Sequence, residues 1–258
     1  MKRALTIAVL GLGEAGGTIA RDLVAGGADV RSYDPVVEAP PGCDSSSSEA
    51  DAVHTADVVL SVNTARSARQ ALVNALPTLG ADAIWADLNT AEPQLKRDLT
   101  ALIPGAAGGF VDVAIMAPVP RAGLRTSLLC SGSAAPRFAD MLRPFGTNID
   151  VLDEPAGAAA ERKLLRSVFY KGMAAAVVES LDAAKALNLE DWLRDNITEE
   201  LTNADHTTVT RMVEGTHRHA RRRTDEMAAA GAMLRDLGLD SDITRATHQL
   251  LSKLDTSA

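Results

Sequence analysis

The run Gly11-Leu12-Gly13-Glu14-Ala15-Gly16, set between an apolar stretch and a helical pattern, narrows the possible folds more than any other feature. The preceding residues, LTIAVL, are apolar at every position but Thr6, as in a strand covered on both faces. The following EAGGTIARDLVAGG carries apolar residues at spacings of three and four, the period of a helix. In such a strand–turn–helix unit each glycine has a task. Gly11 makes the tight turn, Gly13 lets a pyrophosphate approach the backbone, and Gly16 lets the helix pack on the strand. The helix start, with Leu12, Glu14 and Ala15, offers backbone N–H groups and the positive end of a dipole to phosphates. Asp34 ends the strand-like residues 30–33, where a carboxylate would take the ribose hydroxyls. Pro35 and Val36 follow it instead of a basic residue, and a carboxylate there repels a 2′-phosphate. NAD is therefore favoured over NADP.

The rest of the first half repeats this alternation. DVRSYD, ADVVLSVN, AIWADL, GFVDVAIM and TSLLCSG read as strands, and TARSARQALVNALPTLG and AEPQLKRDLTALIP as helices. The predicted fold class is α/β, an N-terminal Rossmann doubly wound parallel sheet followed by a smaller all-α domain. Asn63, just after ADVVLSV, joins the candidate cofactor residues. SSSSEADA reads as a polar loop running into a short helix. Beyond Pro155 strand patterns nearly vanish. AAAERKLLRSVFYKGMAAAVVESLDAAKALN reads as one long helix, followed by helices over 190–203, over 206–237 with a break near Gly231, and over 242–254. Asp240-Ser241-Asp242 is the expected cap of the last helix. The expected domains are 1–156 for the dinucleotide and 157–258 for the helical part.

Composition removes other classes. A formal net charge of -8 and 3% aromatic residues argue against nucleic acid as a partner. Two cysteines, Cys43 and Cys130, make no disulfide framework, which suits a reducing, cytoplasmic location. Met1-Lys2-Arg3 before an apolar run imitates a secretory leader, but the run enters the glycine turn directly and reads as a mature first strand. No stretch has the length of a membrane span. His54, His206, His217, His219 and His248 lack metal-ligand spacing, so no metal is expected. No Gly-x-Ser-x-Gly elbow or Cys/His pair points to covalent catalysis.

At these residues the sequence resembles the β-hydroxyacid dehydrogenase and 6-phosphogluconate dehydrogenase superfamily, which includes the imine reductases. Gly11, Leu12, Gly13, Gly16, Ala20, Leu23 and Gly27 match its N-terminal signature, with Ala15 in place of a methionine. Asp87-Leu88-Asn89-Thr90 with Pro93 is similar to the family's Asp-x-Ser-Thr…Pro turn, which implies that Thr90 lies near the nicotinamide. The resemblance also implies that Lys163, on the first long helix after the Rossmann domain, is the catalytic acid/base. Gly157 and Glu179 stand at the matching distances from it. An amine facing an apolar cleft can exchange its proton near neutrality. A homodimer formed through the helical domain is implied in the same way.

The departures are specific. The family's asparagine one turn after the lysine is Ser167 here. Its Ser-Gly-Gly substrate segment becomes Met116-Ala117-Pro118, which lacks the same donors. Met116 and Ser167 are then the expected pocket residues of a substrate bound in another way. Arg221, Arg222 and Arg223 have two readings: Arg222 clamps a substrate anion, or the cluster is a solvated face paired with Asp225 and Glu226. The reading that results is NAD(P)-dependent hydride transfer to or from a small, anionic hydroxy or carbonyl substrate with Lys163 as general acid/base, and an imine reductase or a non-catalytic cofactor sensor as alternatives.

Overall fold

The computed structural model describes residues 3–104 and 108–256. The leader-like Met1-Lys2 lies outside them. Eight strands form one sheet: β1 (Thr6–Leu10), β2 (Asp29–Tyr33), β3 (Asp44–Ser45), β4 (Val58–Ser61), β5 (Ile84–Asp87), β6 (Phe110–Ile115), β7 (Ser127–Ser131) and β8 (Asn148–Val151). Their order is β3-β2-β1-β4-β5-β6-β7-β8. Every pairing is parallel except β6 with β7. Six strands were legible beforehand. The two-residue β3 and the half-exposed β8 carry too little apolar pattern to read. The antiparallel β7 corrects the expectation of a wholly parallel sheet. Its link to β6 holds only one short helix and one 3-10 turn, too little for a crossover.

Six helices belong to this α/β part: α1 (Glu14–Ala25), α2 (Glu49–Val53), α3 (Ala68–Ala75), α4 (Pro93–Thr100), α5 (Val119–Ala122) and α6 (Ala135–Leu142). Two apolar layers sandwich the sheet. One gathers Ile7, Val9, Ile19 and Leu23 with Phe138 and Leu142, and the other gathers Ala8, Leu10, Leu72, Trp85 and Leu99. Consecutive residues of β1 enter opposite layers, which is why that strand is apolar throughout. Ser48 caps α2 by accepting the Asp51 N–H at 3.1 Å, so the serine-rich stretch is the helix entry expected of it.

The helical part contains α7 (Ala158–Ala186), α8 (Glu190–Thr202), α9 (Thr208–Arg218), α10 (Ala220–Asp236) and α11 (Asp242–Asp255). Two compact units divide the chain, Met1–Arg166 and Ser167–Ala258. The division falls inside α7, because the first turns of that helix are bonded to the sheet (below). The break expected near Gly231 lies instead at His219, which leaves the helical region at φ −119° and ψ 24°. Gly231 is buried within α10 without interrupting it, and a Cβ there would make only ordinary contacts with Arg235 and Thr244. The expected Asp240-Ser241-Asp242 cap is also replaced. Ser241 makes no capping bond. The Glu179 carboxylate from α7 accepts the N–H groups of Ile243 and Thr244, each at 2.8 Å, and the Thr244 hydroxyl at 2.6 Å. Burial raises the Glu179 pKa, but those donors outweigh it and hold the group below its ordinary value. Glu179→Ala is expected to lower stability by about 1–2 kcal/mol, read as a fall in Tm. A carboxylate with a depressed folded-state pKa stabilises above its unfolded value, and that contribution is lost as pH falls through the folded value. The Tm difference between wild type and Glu179→Ala should therefore shrink in acid.

Candidate functional site

The glycine turn joins β1 to α1 at the carboxyl edge of the sheet, where the strand order reverses between β1 and β4. Ligands of open α/β sheets bind in that crevice. Gly11 has φ +93°, and a Cβ on it would lie 2.5 Å from Asn63 Oδ1. A Cβ on Gly16 would lie 1.9 Å from the Gly11 carbonyl oxygen. Both positions are closed to any side chain by the protein's own packing. Gly13 is different, because a Cβ there would meet nothing within 4 Å. The fold leaves that room, and it suits a phosphate approaching the N–H groups that begin α1. The cleft beside it has a volume of about 520 Å³ and includes Gly11, Gly13, Asp34, Asn63, Glu49 and Arg66. The open space at Gly13 and the cleft lining fit an adenine dinucleotide, whose phosphates would meet the backbone of Gly13, Glu14 and Ala15.

Asp34 ends β2 on the rim of this cleft. Its Oδ2 accepts the Leu12 N–H at 2.8 Å, and its Oδ1 accepts the N–H groups of Val36 and Val37 at 2.8 and 3.0 Å. Burial acts to raise its pKa, yet the three donors together hold it below the ordinary value, so the carboxylate is charged at neutral pH. Leu12 thus spends its N–H on Asp34 and its side chain on the core, leaving the phosphate contacts to its neighbours. Three donors leave Asp34 about one acceptor site for a ribose hydroxyl.

Further along the same edge, Asn89 is buried and Thr90 exposed in the turn after β5. Lys163, in the second turn of α7, is half-buried, and its Nζ donates a short bond to the Ile115 carbonyl at the end of β6. The amine is thereby held next to Met116. The Met116 N–H is taken by the Ser127 carbonyl at 2.8 Å, and Pro118 has none to give. Of residues 116–118, two therefore have no backbone donor to spare, and none carries a side-chain hydroxyl for a carboxylate.

Sequence reasoning missed a buried polar row behind this edge. Strand register pairs Ser61 with Asp87, Asp87 with Asp112 and Asp112 with Ser131, and all four are fully buried. Lys96 of α4, 1% exposed, reaches into the row. Its Nζ donates to Asp87 Oδ1 at 2.6 Å and to the Asp87 carbonyl at 2.9 Å. Asp112 Oδ1 lies 3.2 Å from the same ammonium but off the hydrogen-bonding direction, so that contact is one of charge alone. Asp112 Oδ2 accepts the N–H groups of Gly157 and Ala160 at 3.0 and 2.9 Å, and Ser131 Oγ accepts that of Ala159 at 3.1 Å. The start of α7 is thus capped from inside the sheet. Removing the ammonium alone would leave two facing carboxylates, a loss of about 3–5 kcal/mol. The signal was available: Lys96 sits one turn before Leu99 on the inward face of α4, and Asp112 interrupts an otherwise apolar strand.

The remaining candidates lie in the second unit. Ser167 is on α7, and Arg222 on α10 is exposed and paired with Glu226. Among the described residues no group of three or more His, Cys, Asp or Glu could hold a metal, and no helix is long and apolar enough to cross a membrane.

Residues 6–152, more than half of the chain, match the family described as the NAD binding domain of 6-phosphogluconate dehydrogenase. The chain belongs to this family. Residues 6–152 form an NAD(P)-binding domain of the Rossmann type, consistent with the glycine turn and strand order. Residues 184–254 match a domain of unknown function (DUF1932). A conserved hypothetical protein from Sinorhizobium meliloti is 28% identical, with a TM-score of 0.62 over 97% of this chain and 88% of the other. A conserved protein of unknown function, described as structurally similar to 3-hydroxyacid dehydrogenases, is 29% identical, with a TM-score of 0.60 over 98% and 97% of the two chains. An imine reductase from Myxococcus stipitatus in complex with NADP+ shares the fold at a TM-score of 0.83 and 17% identity, over 98% and 95%. An uncharacterized 28.5 kDa protein from Methanothermus fervidus is 28% identical over 67% of this chain, and the match spans 66% of that relative's length.

Proposed function

We propose that this NAD-binding protein passes hydride between the nicotinamide of NAD(H) and a small hydroxy or carbonyl substrate, with Lys163 moving the proton. The observation that carries this reading is the Lys163 amine. It is anchored on the last carbonyl of β6, on the same sheet edge as the glycine turn. The nicotinamide supplies or accepts the hydride when bound. Lys163 would donate a proton to the substrate oxygen during reduction and remove it during oxidation. Gly13, Glu14 and Ala15 would hold the phosphates, Asn63 would flank the turn, and Thr90 and Met116 would border the reacting carbon. Asp34, charged and next to Glu49 in the cleft, supports NAD over NADP. Arg66 is the residue that would receive a 2′-phosphate, so parallel titrations with NADH and NADPH decide between them.

One observation favours a second reading, reduction of a C=N bond. Residues 116–118 have no side-chain hydroxyl, and two of the three have no spare backbone donor, which suits a neutral or cationic substrate. Arg222 becomes an anion contact only if it leaves Glu226. A screen of hydroxyacids, alcohols, ketones and cyclic imines with both cofactors separates the readings. Saturable NADH binding without turnover on any class would point to a cofactor sensor. No saturable binding of either dinucleotide would overturn the proposal.

The protein is also proposed to be a cytoplasmic homodimer. Among the described residues, neither α8 nor α9 buries a side chain. Val209, Met212 and Val213 form an exposed apolar stripe at helical spacing on α9, and Val168, Phe169 and Trp192 are exposed as well. A second copy would cover them. A sedimentation mass equal to one chain at micromolar concentration counts against it.

A further inference from the structure

We propose that Lys96 is a positioning residue, which fixes the Asn89–Thr90 turn and the Lys163-bearing start of α7 in a single frame. The proposal rests on the dinucleotide reading above. Its basis is a continuous chain of polar contacts running behind the site. Asn63, whose Oδ1 packs against Gly11, donates to Ser61 Oγ at 3.4 Å. Asn89 Nδ2 donates to the same Ser61 Oγ at 3.1 Å and to Asp87 Oδ2 at 3.2 Å, and its N–H donates to Asp87 Oδ1 at 3.1 Å. Lys96 then joins Asp87 to Asp112, and Asp112 takes the N–H groups of Gly157 and Ala160. The chain therefore links the glycine turn, the turn after β5 and the helix that carries the amine.

Stability alone does not call for this arrangement. Apolar residues of matching volume commonly serve a buried position as well as an ion pair or better. Directional bonds fix geometry at both ends of this chain, and the Lys96 ammonium joins the ends by hydrogen bonds to Asp87 and by charge to Asp112, holding in register the pieces that the proposed reaction needs. Lys96 is the central link, because it alone among the described side chains contacts both Asp87 and Asp112 with a positive charge. It touches no proposed ligand position, so its effect must pass through the turn and the helix.

The test compares two ligands by calorimetric titration. ADP-ribose fills only the glycine-turn half of the cleft, whereas NADH also reaches the turn after β5. Lys96→Met is expected to weaken NADH at least tenfold while changing ADP-ribose by less than about twofold. A variant that binds both as wild type does, or weakens both equally, overturns the proposal, the second result marking a purely structural ion pair. Wild type binding NADH no better than ADP-ribose overturns it too. Wild type binding neither ligand defeats the dinucleotide reading first, a distinguishable result. If Lys96→Met does not fold, Lys96→Gln, which keeps a donor toward Asp87 but no charge, carries the same comparison.

Discussion

Lys163→Met is expected to lower turnover about 10²–10⁴-fold, the usual contribution of a positioned general acid/base, with NADH affinity unchanged. Methionine keeps the unbranched stem and its packing while removing the only atom that can carry the proton. The Ile115 carbonyl that loses its donor lies at the edge of the sheet, so the cost to folding is small beside the cost to chemistry. An interaction made only in the transition state lowers kcat and kcat/KM together, and that is the expected pattern. The measurement is steady-state kinetics on whichever substrate class the screen identifies, beside an NADH titration of the same preparation. Unchanged turnover would show that the lysine only pins the end of β6.

Gly13→Val is expected to weaken NADH binding by more than about 100-fold while moving Tm by only a few degrees. Two well-made phosphate contacts, at about 1.5–3 kcal/mol each for bonds to charged groups, account for a loss of that size. A Cβ at Gly13 meets nothing within 4 Å, so a side chain there obstructs chiefly a ligand. Gly16→Ala provides the contrast. Its methyl would overlap the Gly11 carbonyl, so that variant should lose stability as well as binding. Thermal melts and NADH titrations of the two variants side by side check the pair. Undiminished NADH affinity in Gly13→Val would place the phosphates elsewhere.

The strand–glycine–helix start, six of the strands and the long helix after Pro155 were legible because each shows in local periodicity. β3 and β8 were not, since two residues and a half-exposed edge give no period to detect. The helix break was expected at Gly231 and lies at His219, because a single glycine lowers helix propensity by only about 1 kcal/mol and a buried helix carries it. The cap of α11 was misassigned for another reason. The local cluster looked sufficient, while the carboxylate that does the work comes from Glu179, far away in sequence. At the site, the glycines, Asp34 and Lys163 could each be read singly. The row Ser61–Asp87–Asp112–Ser131 could not, because it exists only across strand register.

The three N–H bonds on Asp34 have a kinetic meaning. They form within the free chain, so the loop that would meet an incoming molecule has already lost its conformational freedom during folding. Encounter and capture then become one event: association should follow a single exponential that rises linearly with concentration, with no slow rearrangement behind it.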